Sequence, residues 1–157
     1  MPAENKKFML KAIELSVKNV KSGGGPFGAV IVNKGKIIGT GVNKVTLLND
    51  PTAHAEVNAI RNAARRINNF DLTGCDIYTS CEPCPMCLSA IYWANISNIY
   101  FANTRKEAKK IGFRDDHIYN EIPKPISKRK INTVRIKDTN AIDAFLIWDK
   151  KKDKISY

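Results

Sequence analysis

With 157 residues, 43% hydrophobic and 26% charged, the chain can bury one sizeable core, and no Pro/Gly/Ser-rich linker divides it, so a single globular domain over residues 1–157 is expected. No run of about 18 apolar residues occurs, and the opening MPAENKKFMLK has no apolar signal region, which argues against a membrane span and for a soluble, cytoplasmic protein. The formal charge of +11 leaves a nucleic-acid partner open, although lysine runs such as TRKEAKK, PKPISKRK and DKKKDK are usually solvated faces.

Phe8, Ala12, Ile13, Ser16, Val17 and Val20 recur at helical spacing, which predicts an amphipathic helix over residues 5–21 that SGGGP ends. FGAVIVN and KIIGTGVN then read as a hairpin around a Lys-Gly turn, its second strand ending near Asn43. After a loop to Pro51, Thr52 can cap a helix opening with AHAEVNAIRNAARR, where Val57, Ile60, Ala63 and Ala64 form the buried stripe. CDIYTS is a strand, CPMCLSAIYWA a helix, NIYFA a strand and TRKEAKKI a helix; an irregular stretch precedes INTVRIK as a last strand and AIDAFLIWDKKK as a last helix. Strands alternating with helices imply parallel pairing, so the predicted fold is α/β: a three-layer α/β/α sandwich around a five-stranded mixed sheet.

Four cysteines, three of them in CEPCPMC, point in a reducing compartment to a metal or catalytic site rather than to disulfides. Pro83 and Pro85 bias Glu82 and Cys84 toward extended backbone, so the strand ends near Cys81 and the helix starts with Cys84 as cap and Pro85 at its first position. Cys84 and Cys87 then share the face of the first turn, and Cys81 does not. His54 and Glu56 open the preceding helix. At i and i+2 they would diverge within a regular helix, yet near its open end they can converge on a group lying along the axis. One imidazole and two thiolates with a water make a catalytic zinc set. A closed structural site would need a fourth thiolate or imidazole, which Cys75, Cys81 and His117 are poorly placed to provide. Cys81 and Cys75 read instead as packed residues and His117 as a surface histidine.

H-x-E followed by P-C-x-x-C is the signature of zinc-dependent nucleobase deaminases. With GGPFGAVIV, NDPTAHAEV, YTSCEPCPMCLSAIYWA, GFRDD, IYNEI and the terminal tyrosine, the chain resembles the cytidine deaminase superfamily over nearly its whole length, and within it the bacterial guanine deaminase branch. That resemblance implies one zinc ion per subunit held by His54, Cys84 and Cys87, with water as fourth ligand and Glu56 as proton shuttle. It implies that Asn43 hydrogen-bonds the purine, that Phe27 lines or stacks on its face, that Asp115 and Tyr157 read the guanine edge, and that Trp93 lines the pocket. The reaction implied is hydrolysis of guanine to xanthine and ammonia. The partner implied is a second copy of the chain, to which the C-terminal tail, residues 150–157, crosses.

Two other functions share parts of this pattern. A tRNA adenosine deaminase uses the same zinc chemistry on a flipped wobble base and would use the positive charge to hold phosphates. A non-catalytic zinc module binding nucleic acid would share the ligands, but would have no need of Glu56.

Overall fold

Residues 28–32 are all buried, which a strand can satisfy only when both of its faces are covered. They belong to β1 (Gly28–Asn33) in the computed structural model, which describes residues 3–156. In chain order the elements are α1 (Ala3–Lys21), β1, β2 (Lys36–Val42), α2 (Val45–Leu48), α3 (Ala55–Ile67), β3 (Cys75–Cys81), α4 (Pro85–Trp93), β4 (Asn98–Asn103), α5 (Arg105–Lys110), α6 (Asp116–Glu121), a 3-10 turn (Ile126–Lys128) and α7 (Ile142–Lys150). They group into two units, residues 1–116 and 117–157.

In the first unit the sheet order is β2-β1-β3-β4. β1 runs antiparallel to both β2 and β3, while β3 and β4 are parallel and joined through α4. The hairpin turn is Lys34-Gly35, with φ of 46° and 72°. Positive φ at both central residues gives the twist that a two-residue hairpin loop requires. Alternate residues of β1 serve opposite faces. Ala29 and Ile31 pack with Ala55, Ala59 and Ala63 of α3 and Ile91 of α4, whereas Val30 and Val32 pack with Phe8 and Met9 of α1. The expected helix–sheet–helix layering is therefore present.

The sheet has four strands among the described residues, not five. INTVRIK is irregular, with Ile131, Val134 and Ile136 each more than 70% exposed. Its alternating pattern satisfies a strand's side chains, but among the described residues of the unit 117–157 no strand is present to complete a backbone ladder. That second unit comprises most of α6, the 3-10 turn and α7, and none of its described residues is buried.

Two helix readings also shift. The buried line of α1 is Phe8, Met9, Ala12, Ser16 and Asn19, while Val17 and Val20 are half exposed. On α3 the fully buried residues are Ala55, Glu56, Ala59 and Ala63, with Val57, Ile60 and Ala64 only half-buried. The reason is the approach of β2: a Cβ on Gly41 would lie 2.0 Å from the Ala55 carbonyl oxygen, and one on Gly39 would lie 2.6 Å from that of Ala59. Small residues on the helix and glycines on the strand let the two backbones touch, so larger side chains are displaced to the flanks.

Gly41→Ala should accordingly destabilise the protein by about 1–3 kcal/mol, because the methyl group meets backbone atoms that cannot rotate away. Thermal or urea denaturation checks this. A midpoint indistinguishable from wild type would show that α3 does not sit this close.

Candidate metal centre and purine pocket

α3 and α4 start in the same way. His54 is the N-cap of α3, with φ −72° and ψ 158°, and Cys84 is the N-cap of α4, with φ −67° and ψ 167°. Each cap carbonyl accepts the first helical bond, from Asn58 N–H at 3.0 Å and from Leu88 N–H at 2.8 Å. Neither side chain caps its own helix. Both are left to point beyond the helix ends, toward each other.

Pro85 at the first helical position explains the start of α4 as expected. At α3 the expectation of a Thr52 cap is corrected. Thr52 instead donates its N–H and hydroxyl to Asp50 Oδ1, at 2.8 and 2.7 Å, and that turn delivers the chain to His54 two residues later. Because His54 stands outside the regular helix, the divergence of i and i+2 side chains no longer separates it from Glu56.

His54 Nδ1 lies 3.6 Å from Cys84 Sγ and 3.5 Å from Cys87 Sγ, and one donor atom from each of the three residues falls within 4.8 Å of the others. Zinc bonds of about 2.0 Å to nitrogen and about 2.3 Å to sulfur, at a tetrahedral angle, place nitrogen and sulfur about 3.5 Å apart. The spacing fits that ion. The charges fit it as well. A hydrogen bond from the Cys87 thiol, reinforced by His54, holds the Cys84 thiol down to about 4. The bond to Cys84 in turn raises the His54 imidazole above its ordinary range. The Cys84 anion and burial both push Cys87 up, so a second thiolate here calls for a cation.

Glu56 lies in the first turn of α3, 6% exposed. Burial raises its carboxyl, and the nearby Cys84 thiolate adds to the effect. The Cys84 thiolate and the His54 imidazole are both among the charges that its carboxyl feels, which sets it beside the metal-binding trio.

Asn43 follows β2 directly and is buried. Its N–H donates to the Phe27 carbonyl at 3.1 Å, and its Oδ1 accepts from Val45 N–H at 3.3 Å, so its amide NH2 is the group left for a ligand. Phe27 is half-buried and packs edge-on against Phe113, with ring centroids 4.7 Å apart. Asp115 is half-buried, and its carboxyl is raised by burial and by the Cys84 thiolate. It is also among the charges that His54 feels. Its neighbour Asp116 is committed elsewhere, in an ion pair with Lys109 at 2.9 Å.

Trp93 is 66% exposed at the last residue of α4, the end away from Cys84, and with Ser89 and Tyr92 it lines an open cavity of about 330 Å³. The structure does not bring it to the trio. Tyr157 lies outside the described residues. Cys81 ends β3, buried, its thiol pushed up to about 11 by burial and directed at the Thr104 carbonyl. Cys75 is buried at the other end of that strand, and His117 is exposed.

Asn19 and Phe113 were not legible as site residues. Asn19 reaches from α1 to the Asn43 carbonyl at 2.7 Å. Its only signal in the sequence is a carboxamide on the apolar side of a helix.

A family model described as the cytidine and deoxycytidylate deaminase zinc-binding region matches residues 2–103. The guanine deaminase of Bacillus subtilis is 46% identical, over 96% of this chain and 97% of that protein. Its X-ray structure superposes with a TM-score of 0.94, at 45% identity, over 100% of this chain and 99% of that one. A tRNA-specific adenosine deaminase of Buchnera aphidicola is 35% identical, over 99% of this chain and 94% of that protein. A further structure, solved in complex with 2,6-diaminopurine, is 30% identical with a TM-score of 0.69, over 73% of this chain and 64% of that one.

Metal analysis of purified variants tests the centre. Cys87→Ala and His54→Ala should lose bound zinc after dialysis, whereas Cys81→Ala should keep the wild-type content. Zinc retained by Cys87→Ala would remove that residue from the set.

Proposed function

The chain belongs to the cytidine and deoxycytidylate deaminase family, and on that footing we propose that it hydrolyses guanine to xanthine and ammonia. The observation that carries the reading is one buried carboxylate, Glu56, set against His54, Cys84 and Cys87 where two helices begin, with Asn43 and Phe27 on neighbouring segments. The identity of 46% to a guanine deaminase, against 35% to a tRNA deaminase, supports the free base as substrate. One zinc ion per chain, held by His54, Cys84 and Cys87 and completed by water, supplies an activated water at neutral pH.

Glu56 moves the protons. Burial raises its carboxyl, so it can take the first proton that the water releases and pass it to a ring nitrogen, then take the second from the hydroxyl now on C2 and give it to the amine that leaves as ammonia. The two helix N-termini direct their partial positive charge at the oxygen where negative charge develops. Asn43 donates its free amide hydrogens to an acceptor on the purine, and Phe27 presents its ring to the base. Asp115 rather than Asp116 reads the guanine edge, since Asp115 alone is coupled to the trio. The atoms balance: guanine and water give xanthine and ammonia.

The protein works as a homodimer, in which the C-terminal tail of one copy brings Tyr157 to the site of the other. Support comes from the second unit, whose Phe145, Ile147 and Ile136 are each more than 70% exposed within one chain. The four free cysteines suit a reducing compartment, and we place the enzyme in the cytoplasm. No helix of the described residues is long and apolar enough to cross a membrane.

Zinc-loaded protein should release ammonia from guanine. Tight, steeply salt-dependent tRNA binding without that release would favour the tRNA deaminase reading instead. Glu56→Gln should keep its zinc and lose turnover by about two to four orders of magnitude. Deleting residues 153–157 should abolish guanine turnover and spare the metal; a fully active truncation would remove the tail from the site.

A further inference from the structure

The segment that bears Asn43 is clamped from both sides by a helix carboxamide. From α1, Asn19 is buried and spends both amide hydrogens on carbonyls: on Gly25 at 2.7 Å and on Asn43 itself at 2.7 Å. From α3, Asn58 donates to the Val42 carbonyl at 2.9 Å and to the Ala53 carbonyl at 3.2 Å. Val42 precedes Asn43, and Ala53 precedes His54. Ala53 also accepts from Lys44 N–H at 2.9 Å, which closes the excursion 44–53 at its base. Asn19 thus ties Asn43 to the Gly25–Phe27 arm, and Asn58 ties it to the arm carrying His54.

We propose that Asn19 and Asn58 are positioning residues that fix the distance and tilt of Asn43 relative to Phe27 on one side and to the metal-binding trio on the other. Neither touches substrate in this assignment; each acts through the backbone on the residue that does. The close fit explains why the hold has to come from backbone carbonyls. A Cβ on Gly25 would stand 2.7 Å from Asn43 Oδ1, and one on Gly24 would stand 2.4 Å from Asn19 Nδ2. Asn43 and its clamp leave no room for a side chain between them, so the base is aligned by a rigid frame rather than by packing.

General support of the sheet edge is the competing explanation, and the helix contains its own control. Asn62 of α3 caps the Thr40 carbonyl of the same edge strand at 2.8 Å, two residues farther from Asn43. Edge capping alone would make Asn58 and Asn62 equivalent.

The proposal rests on the guanine reading, so wild-type turnover is measured first; an enzyme inactive on guanine overturns that reading and this assignment with it. Given turnover, Asn19→Asp and Asn58→Asp, which keep shape but lose the donors, are each combined with Asn43→Ala in a double-mutant cycle on the zinc-loaded, full-length protein. In the wild-type background each should raise KM for guanine by about tenfold or more, with kcat within about threefold and zinc content unchanged. In the Asn43→Ala background the same change should alter KM by less than about twofold. Asn62→Asp should leave KM unchanged. Additive effects in the cycle, or equal effects at 58 and 62, overturn the assignment. Should the buried Asn19→Asp not fold, the half-buried Asn58 carries the test by itself.

Discussion

Two helices that begin on side chains unused by their own first turns hold this site together. An N-cap residue usually spends its side chain on the free N–H groups of its helix. His54 and Cys84 do not, and the extended backbone at each cap projects imidazole and thiol past the helix end. Everything chemical follows from the two ends meeting. The partial positive charge of α4 favours thiolate at Cys84, Cys87 comes from the first turn of the same helix, and Glu56 from the first turn of α3 lies within reach of their charge.

That meeting depends on how closely α3 lies on the sheet. Gly39 and Gly41 on β2, facing Ala55, Ala59 and Ala63, allow backbone contact that larger residues would prevent. Packing at this distance serves function directly. It brings Asn58 over the strand edge, within reach of the carbonyls that flank Asn43 and His54, and it places Glu56 away from water, where its carboxyl holds a proton more readily. The structural core and the reactive centre are therefore one arrangement. A substitution that moves α3 would disturb stability, metal geometry and base alignment together.

The sheet places the remaining parts. β1 is buried on both faces and pairs with β2, which ends at Val42 just before Asn43, and with β3, which ends at Cys81 and leads to Cys84. The parallel step from β3 to β4 requires a crossover helix, and the start of that crossover is the cysteine pair. Phe27, just before β1, reaches the same region from the opposite strand direction.

Local rules were enough for much of this. Proline before and after Cys84 restricts the backbone wherever the chain goes, so the cap, the helix start and the pairing of Cys84 with Cys87 could be read directly, as could the hairpin turn and most elements. His54 and Glu56 were legible as chemistry because their residue types and spacing match a known requirement. Tertiary structure decided what depends on neighbours distant in sequence. INTVRIK has the side-chain alternation of a strand but finds no ladder within its unit, because backbone pairing is a property of two segments. Val17 and Val20 are apolar yet exposed, while Asn19 is polar yet buried, because burial follows the surface that α1 meets and not hydropathy alone. Asp115 and Asp116 likewise differ only through an ion pair of Asp116 with Lys109 and the nearness of Asp115 to the charge of Cys84, two interactions across space that spacing along the chain does not encode.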